Sequence, residues 1–179
     1  MRTTLLAVLF LVLWAGLKAQ ESNQLRTGDK APDFALRYAT KDSISRSPLR
    51  LSDMVGERCV VLAFYPADWS TGCTSEVCTF RDNFSALEGL DAEILAISGD
   101  YVWSHFEWAK HHNLPFKLLS DHDHTVAKLY NSYNEKSLYN KRTVYVINKQ
   151  GKIAYADLQY SVADLKDFED VKNALASLR

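Results

Sequence analysis

The strongest constraint on the fold is one uninterrupted apolar run. Cys59-Val60-Val61-Leu62-Ala63-Phe64-Tyr65 has no charge and no polar alternation, and it stops at Pro66. A run of this kind reads as a strand buried on both faces, and such strands lie inside α/β sheets. Apolar residues at helical spacing follow at Val77, Phe80, Phe84 and Leu87, predicting a helix over 74–87. Further apolar runs predict strands over 93–98, 116–119 and 143–147. The turn 148–151 leads back into a strand over 153–158. Helical patterns occupy 102–112, 125–130 and 162–178, the last with Leu165, Phe168, Val171 and Leu175 on one stripe. Residues 26–53 are polar and turn-rich and read as an opening hairpin. Strand–helix alternation closed by a hairpin and a last helix predicts a three-layer α/β/α sandwich around a mixed central sheet.

The first residues belong to a different class of segment. Arg2 is followed by Leu5 to Leu17, an uncharged, almost wholly apolar stretch, then the small Ala19 and the polar Gln20-Glu21-Ser22-Asn23. Thirteen helical residues span about 20 Å, against a hydrocarbon core of about 30 Å. The pattern is that of a signal peptide over residues 1–19, with an exported domain over 20–179, periplasmic or secreted. After cleavage no stable membrane association is expected. Losing residues 1–19 removes Arg2 and Lys18 and no acid, leaving 19 basic against 22 acidic side chains. With no basic block, nucleic acid is not an expected partner. Three cysteines, Cys59, Cys73 and Cys78, are too few for a disulfide scaffold and leave an odd thiol that is either a buried spectator or a reactive group.

The informative segment is Phe64-Tyr65-Pro66-Ala67-Asp68-Trp69-Ser70-Thr71-Gly72-Cys73-Thr74-Ser75-Glu76-Val77-Cys78. It runs from the carboxyl end of the buried strand, where open α/β sheets build their sites, into a helix. Cys73 falls where that helix begins. Unpaired amides at a helix start present partial positive charge, which favours a thiolate, the nucleophilic form of cysteine.

Pro66-x-x-x-Ser70-x-x-Cys73 resembles the active-site signature of peroxiredoxins, whose fold is thioredoxin-like. The stretch 64–82, with Cys78 five residues after Cys73, is similar to the PrxQ branch, also called bacterioferritin comigratory proteins. Gly28-Asp29-Lys30-Ala31-Pro32-Asp33-Phe34, Leu114 to Asp121 and Arg142 to Ile147 resemble the family's opening, middle strand and arginine-bearing strand, so the likeness covers roughly residues 26 to 178. The resemblance implies a thiol-dependent peroxidase that takes a peroxide and a thioredoxin-like or other dithiol reductant and needs no cofactor or metal. It implies that Cys73 attacks the peroxide and becomes a sulfenic acid. Ser70 would hydrogen-bond the peroxide and the sulfur. Arg142 would hold positive charge over both, Pro66 would shield the thiolate, and Glu76 would orient the arginine. Backbone amides at Gly72 and Cys73 would help bind the oxygens. Cys78 would resolve the sulfenic acid as a Cys73–Cys78 disulfide.

That pairing has a geometric condition. Five residues apart on an ideal helix, Cα atoms lie about 8.6 Å apart, whereas a disulfide wants roughly 4.4 to 6.8 Å. The first helical turn has to unwind. Cys59 begins the strand that ends near Tyr65 and is expected at the far end of the sheet, about 20 Å away. Two departures from the family pattern are Thr71, where many relatives have proline, and Ser70, where threonine is commoner. Asp121-His122-Asp123-His124 is expected as a solvated turn, His111-His112 as a helix end, and Trp103 and Trp108 as packing residues. Two other readings share the fold: a thiol–disulfide oxidoreductase, which normally presents Cys-x-x-Cys, and a Sco-type copper chaperone, which uses Cys-x-x-x-Cys-Pro with a distant histidine. The sequence is silent on the preferred peroxide and the oligomeric state.

Overall fold

The computed structural model describes residues 24–179; the expected signal peptide over 1–19 lies outside the described residues. Along the chain run β1 (Ala35–Ala39), β2 (Leu49–Arg50), β3 (Cys59–Phe64), α1 (Thr71–Asp82), α2 (Phe84–Glu88), β4 (Ala92–Ser98) and α3 (Val102–His112). Then come β5 (Lys117–Ser120), α4 (Thr125–Leu129), β6 (Tyr133–Asn134), β7 (Tyr139–Asn140), β8 (Thr143–Ile147), β9 (Ile153–Asp157) and α5 (Leu165–Ala176). Among the described residues, seven strands form one sheet in the order β2-β1-β5-β4-β3-β8-β9, and β6 and β7 form a small separate hairpin.

β3 is buried at every position, as its apolar run requires. It lies parallel to β4 and antiparallel to β8, so the sheet is mixed. Side chains alternate across a strand. Val61 and Ala63 therefore pack with Val77, Phe80, Trp108, Phe168 and Val171, from α1, α3 and α5. Val60, Leu62 and Phe64 pack on the opposite face with Leu51, Val126, Ala127 and Tyr130, from the opening segment and α4. Helices thus cover both faces, and the predicted three layers are present.

Several expectations are corrected. The helix predicted over 74–87 is two helices, broken at Asn83, whose φ of −107° and ψ of 10° leave helical geometry. Its start is also earlier, at Thr71, because Ser70 caps it. Leu165 is 74% exposed although Phe168, Val171 and Leu175 on the same stripe are buried. It is the first residue of α5, directly after the Asp164 cap, and the helix meets the sheet only from Phe168 onward. Trp108 is fully buried but Trp103 is 67% exposed. Five helical residues place the two about 140° apart, so one faces the sheet and the other cannot. The segment 121–124 is a turn but not a solvated one throughout. Asp121 is buried and accepts the amides of Val126 (3.1 Å) and Ala127 (2.7 Å), holding the start of α4. The β6–β7 hairpin was not anticipated, because two-residue strands carry no periodicity.

Candidate active site

The register of the sheet brings residues 73 and 142 together. Phe64, the last residue of β3, pairs with Thr143, the first of β8. The next residue outward on each strand is therefore Tyr65 on one and Arg142 on the other. The chain leaves β3 there and enters α1 six residues later, so the helix start lies beside the arginine. This is the carboxyl end of a central strand, where neighbouring connections diverge and leave room for a ligand.

Cys73 is the third residue of α1 and is fully buried. Ser70 is the N-cap. Its side chain accepts the Cys73 amide at 3.4 Å, and its hydroxyl donates to the Ala67 carbonyl at 3.2 Å. Arg142 donates from Nη2 to the Cys73 sulfur at 3.6 Å and from Nη1 to Glu76 Oε2. Glu76 follows Cys73 by three residues and so shares its helix face; one guanidinium thereby spans the sulfur and the carboxylate. Gly72 makes the approach possible. A Cβ there would stand 3.2 Å from Arg142 Nη2, closer than most side-chain contacts allow. Pro66 is half-buried in the loop that leads to the cap.

The charges compete. Burial pushes the Glu76 carboxyl up to about 7, with Arg142 pulling the other way. At Arg142 burial works against the charge, but Glu76 and Cys73 outweigh it and the guanidinium titrates above its ordinary value. The two partners differ because Glu76 is enclosed while the arginine side chain keeps about a fifth of its surface in water (21% against 1%). Glu76 Oε1 is buried without a hydrogen-bond partner. The site therefore holds a buried sulfur, one cation against it, a hydroxyl at the helix cap and free amides at the first turn.

Matched against family models, the chain fits the AhpC/TSA family over residues 27–156. The chain belongs to that family. Peroxiredoxin Bcp of Bacillus subtilis is 35% identical over 135 residues, covering 72% of this chain and 82% of the relative. The chloroplastic peroxiredoxin Q of Oryza sativa subsp. japonica is 37% identical over 131 residues, covering 72% of this chain and 57% of the relative. Among solved structures, peroxidoxin BcpB from Mycobacterium tuberculosis superposes with a TM-score of 0.75 at 29% identity, covering 87% of this chain and 99% of the other. This peroxiredoxin is a thiol-dependent peroxidase on a thioredoxin-like fold.

Of the residues singled out from sequence, Cys73, Ser70, Gly72, Glu76 and Arg142 come together. Cys78 does not reach Cys73, since both lie on the unbroken helix α1 and both are free thiols. Cys59 opens β3 at its other end, buried, and burial pushes its thiol up. Among the described residues no group of His, Cys, Asp and Glu side chains is gathered for a metal ion. Sequence reasoning missed a buried polar group behind the loop, formed by Tyr65, Asp68 and His105. These residues come from a strand end, a loop and α3, and no spacing links them.

Proposed function

We propose that this peroxiredoxin reduces hydroperoxides at Cys73 and closes its cycle through Cys78. The Cys73 thiolate attacks the nearer peroxide oxygen. An S–O bond forms, the O–O bond breaks, and the departing oxygen leaves as water or an alcohol after taking a proton. The sulfur is then a sulfenic acid. Arg142 faces the sulfur and can meet the charge that develops on the departing oxygen. The Gly72 amide at the first turn can supply a donor to the peroxide, while the Ser70 hydroxyl does so by leaving the Ala67 carbonyl to which it donates. Glu76 holds the guanidinium in place and does not itself touch the peroxide.

Cys78 then attacks the oxidised sulfur. An S–S bond forms, the S–O bond breaks, and the hydroxyl leaves as water with the Cys78 proton. A dithiol donor reduces the disulfide by exchange. The observation that carries this reading is the 3.6 Å contact between Arg142 and a buried sulfur at a capped helix start. Residues 1–19 extend the proposal to export, so the purified mature chain is expected to begin at Gln20.

The test is peroxide consumption by the mature protein with a dithiol reductant, beside Cys73→Ser and Cys78→Ser. Cys73→Ser is expected to lose all turnover. Cys78→Ser is expected to oxidise once, giving a sulfenic acid that a dimedone adduct reveals by mass, and then to stall with dithiol. Normal turnover in Cys73→Ser would sink the assignment of the nucleophile. Normal dithiol-linked turnover in Cys78→Ser would sink that of the resolving thiol.

A further inference from the structure

The loop between β3 and α1 is held from behind by an unusual concentration of buried polar groups. Asp68 is buried, as are Tyr65 and His105. The Asp68 carboxylate accepts the Tyr65 hydroxyl at 2.8 Å and the Ser104 hydroxyl at 2.7 Å. His105 Nδ1 lies 2.9 and 3.2 Å from its two oxygens. The Asp68 amide donates to Asp100 Oδ2 at 2.8 Å, and the Ser98 hydroxyl donates to the same oxygen at 2.7 Å. On its far side the histidine ring meets the Leu119 carbonyl, Nε2 to O at 3.2 Å. One loop residue is thereby tied to the end of β3, the end of β4, α3 and β5.

The chemistry of the ring follows from its partners. A carbonyl oxygen only accepts, so Nε2 carries a hydrogen. Nδ1 faces a carboxylate that already takes two hydroxyl hydrogens, and the remaining proton lies between ring and carboxylate. The ring is thereby hydrogen-bonded on both sides. Buried polar networks of this kind add little stability over apolar residues of the same volume; what they add is a defined geometry. The geometry fixed here is that of the peroxide site. Asp68 stands two residues before the Ser70 cap and three before α1. Trp69 between them sits at a φ of 62° with its indole N–H on the Ser104 hydroxyl at 3.2 Å.

We propose that His105 is a positioning residue for the peroxidase: clamped on Asp68, it fixes the 65–70 loop that presents Ser70 and the first turn of α1 to the peroxide, and it sets the fixed side of the hinge about which α1 unwinds. The inference rests on the peroxidase reading with Cys73 and Cys78. It divides the cycle in two. Oxidation of Cys73 needs the clamp, because a misplacement near 1 Å costs about 100-fold in rate. Disulfide formation does not need it, because by then the first turn has left its place.

The test separates those steps by rapid mixing with hydrogen peroxide, acid quench and mass analysis of the alkylated thiols. His105→Leu is expected to slow Cys73 oxidation by about 10- to 100-fold and to leave the later disulfide step as fast or faster. His105→Asn, which keeps a donor toward Asp68, is expected to recover most of the oxidation rate. The double variant Asp68→Leu/His105→Leu removes the carboxylate together with its ring partner but leaves the buried Tyr65 hydroxyl without its acceptor, and is expected to fold with a lowered urea midpoint and to oxidise slowly. Oxidation within two-fold of the wild type in that folded double variant would overturn the proposal. So would an equal slowing of both steps, which marks general damage. A wild-type Cys73 that takes no peroxide would instead overturn the peroxidase reading beneath it, and the clamp with it.

Discussion

Resolution through Cys78 requires α1 to open, and helix propensity at one exposed position measures that requirement. To bring the two cysteines into bonding range, the amides of residues 74–78 must release the carbonyls of residues 70–74. The first of these bonds, Thr74 amide to Ser70 carbonyl, is 2.9 Å long. Each contributes roughly 1 kcal/mol net, and Cys73 and Glu76 leave their buried places as well. The open form is therefore a minor population, and its size sets the rate of disulfide formation. Ser75 is exposed on this helix between the two cysteines, and its side chain plays no part in the site. Glycine in a helix interior is about 0.8–1.0 kcal/mol less favourable than alanine. Ser75→Gly should thus open more often than Ser75→Ala by about five-fold, with serine between them. Quenched-flow trapping of the disulfide after a single peroxide pulse reads the rate directly. The Gly variant is expected to form it about five times faster than the Ala variant, with equal rates of sulfenic acid formation. Equal disulfide rates in the two variants would refute local unwinding as the controlling event.

Three further outcomes are expected. Arg142→Met removes the cation beside the sulfur and should slow Cys73 oxidation by about 100- to 1,000-fold, the usual cost of losing one such donor, measured by stopped-flow mixing with hydrogen peroxide. Gly72→Ala places a methyl 3.2 Å from Arg142 Nη2; displacing the guanidinium by a few tenths of an ångström should slow the same step by about 10-fold without changing thermal stability much. Glu76 bears on pH. Its carboxyl is raised from 4.5 to about 7, so the unfolded chain gives up its proton first and stability falls as pH rises through that window. Glu76→Gln should flatten this fall, by up to about 3 kcal/mol between pH 4.5 and 7, in urea titrations at pH 5 and pH 8. Parallel pH profiles for the two proteins would contradict the assignment.

Different parts of the molecule were legible in the sequence for different reasons. β3 announced itself because a strand covered on both faces has no polar side to interrupt it, and Cys73 because a strand end running into a helix start leaves one place for a reactive thiol. The pairing of Arg142 with Cys73 was available only through family likeness. It depends on the register Phe64–Thr143, and register between strands nearly 80 residues apart leaves no local mark. The break at Asn83 escaped because Phe84 and Leu87 continue the apolar spacing across it, and a pattern of side chains does not report a backbone turn. Trp103 and Leu165 were misplaced for the converse reason. Leu165 precedes the point where α5 meets the sheet, and Trp103 lies on the outer face of α3 although its neighbour Val102 is buried. The Asp68–His105 clamp was invisible because its members are single polar residues in segments otherwise read as apolar or as loop, and only folding gathers them.

Arg142 stands at the head of β8, held between β3 and β9 in the seven-stranded sheet, while the sulfur it serves rides on a helix that, on the proposed resolution through Cys78, comes apart once per turnover. The enzyme thus keeps its charge on the stationary half and its redox atom on the travelling half. On that reading, a thiol released by reduction of the disulfide swings home to a charge anchored in the sheet, and refolding one turn of helix is all that resets the catalyst.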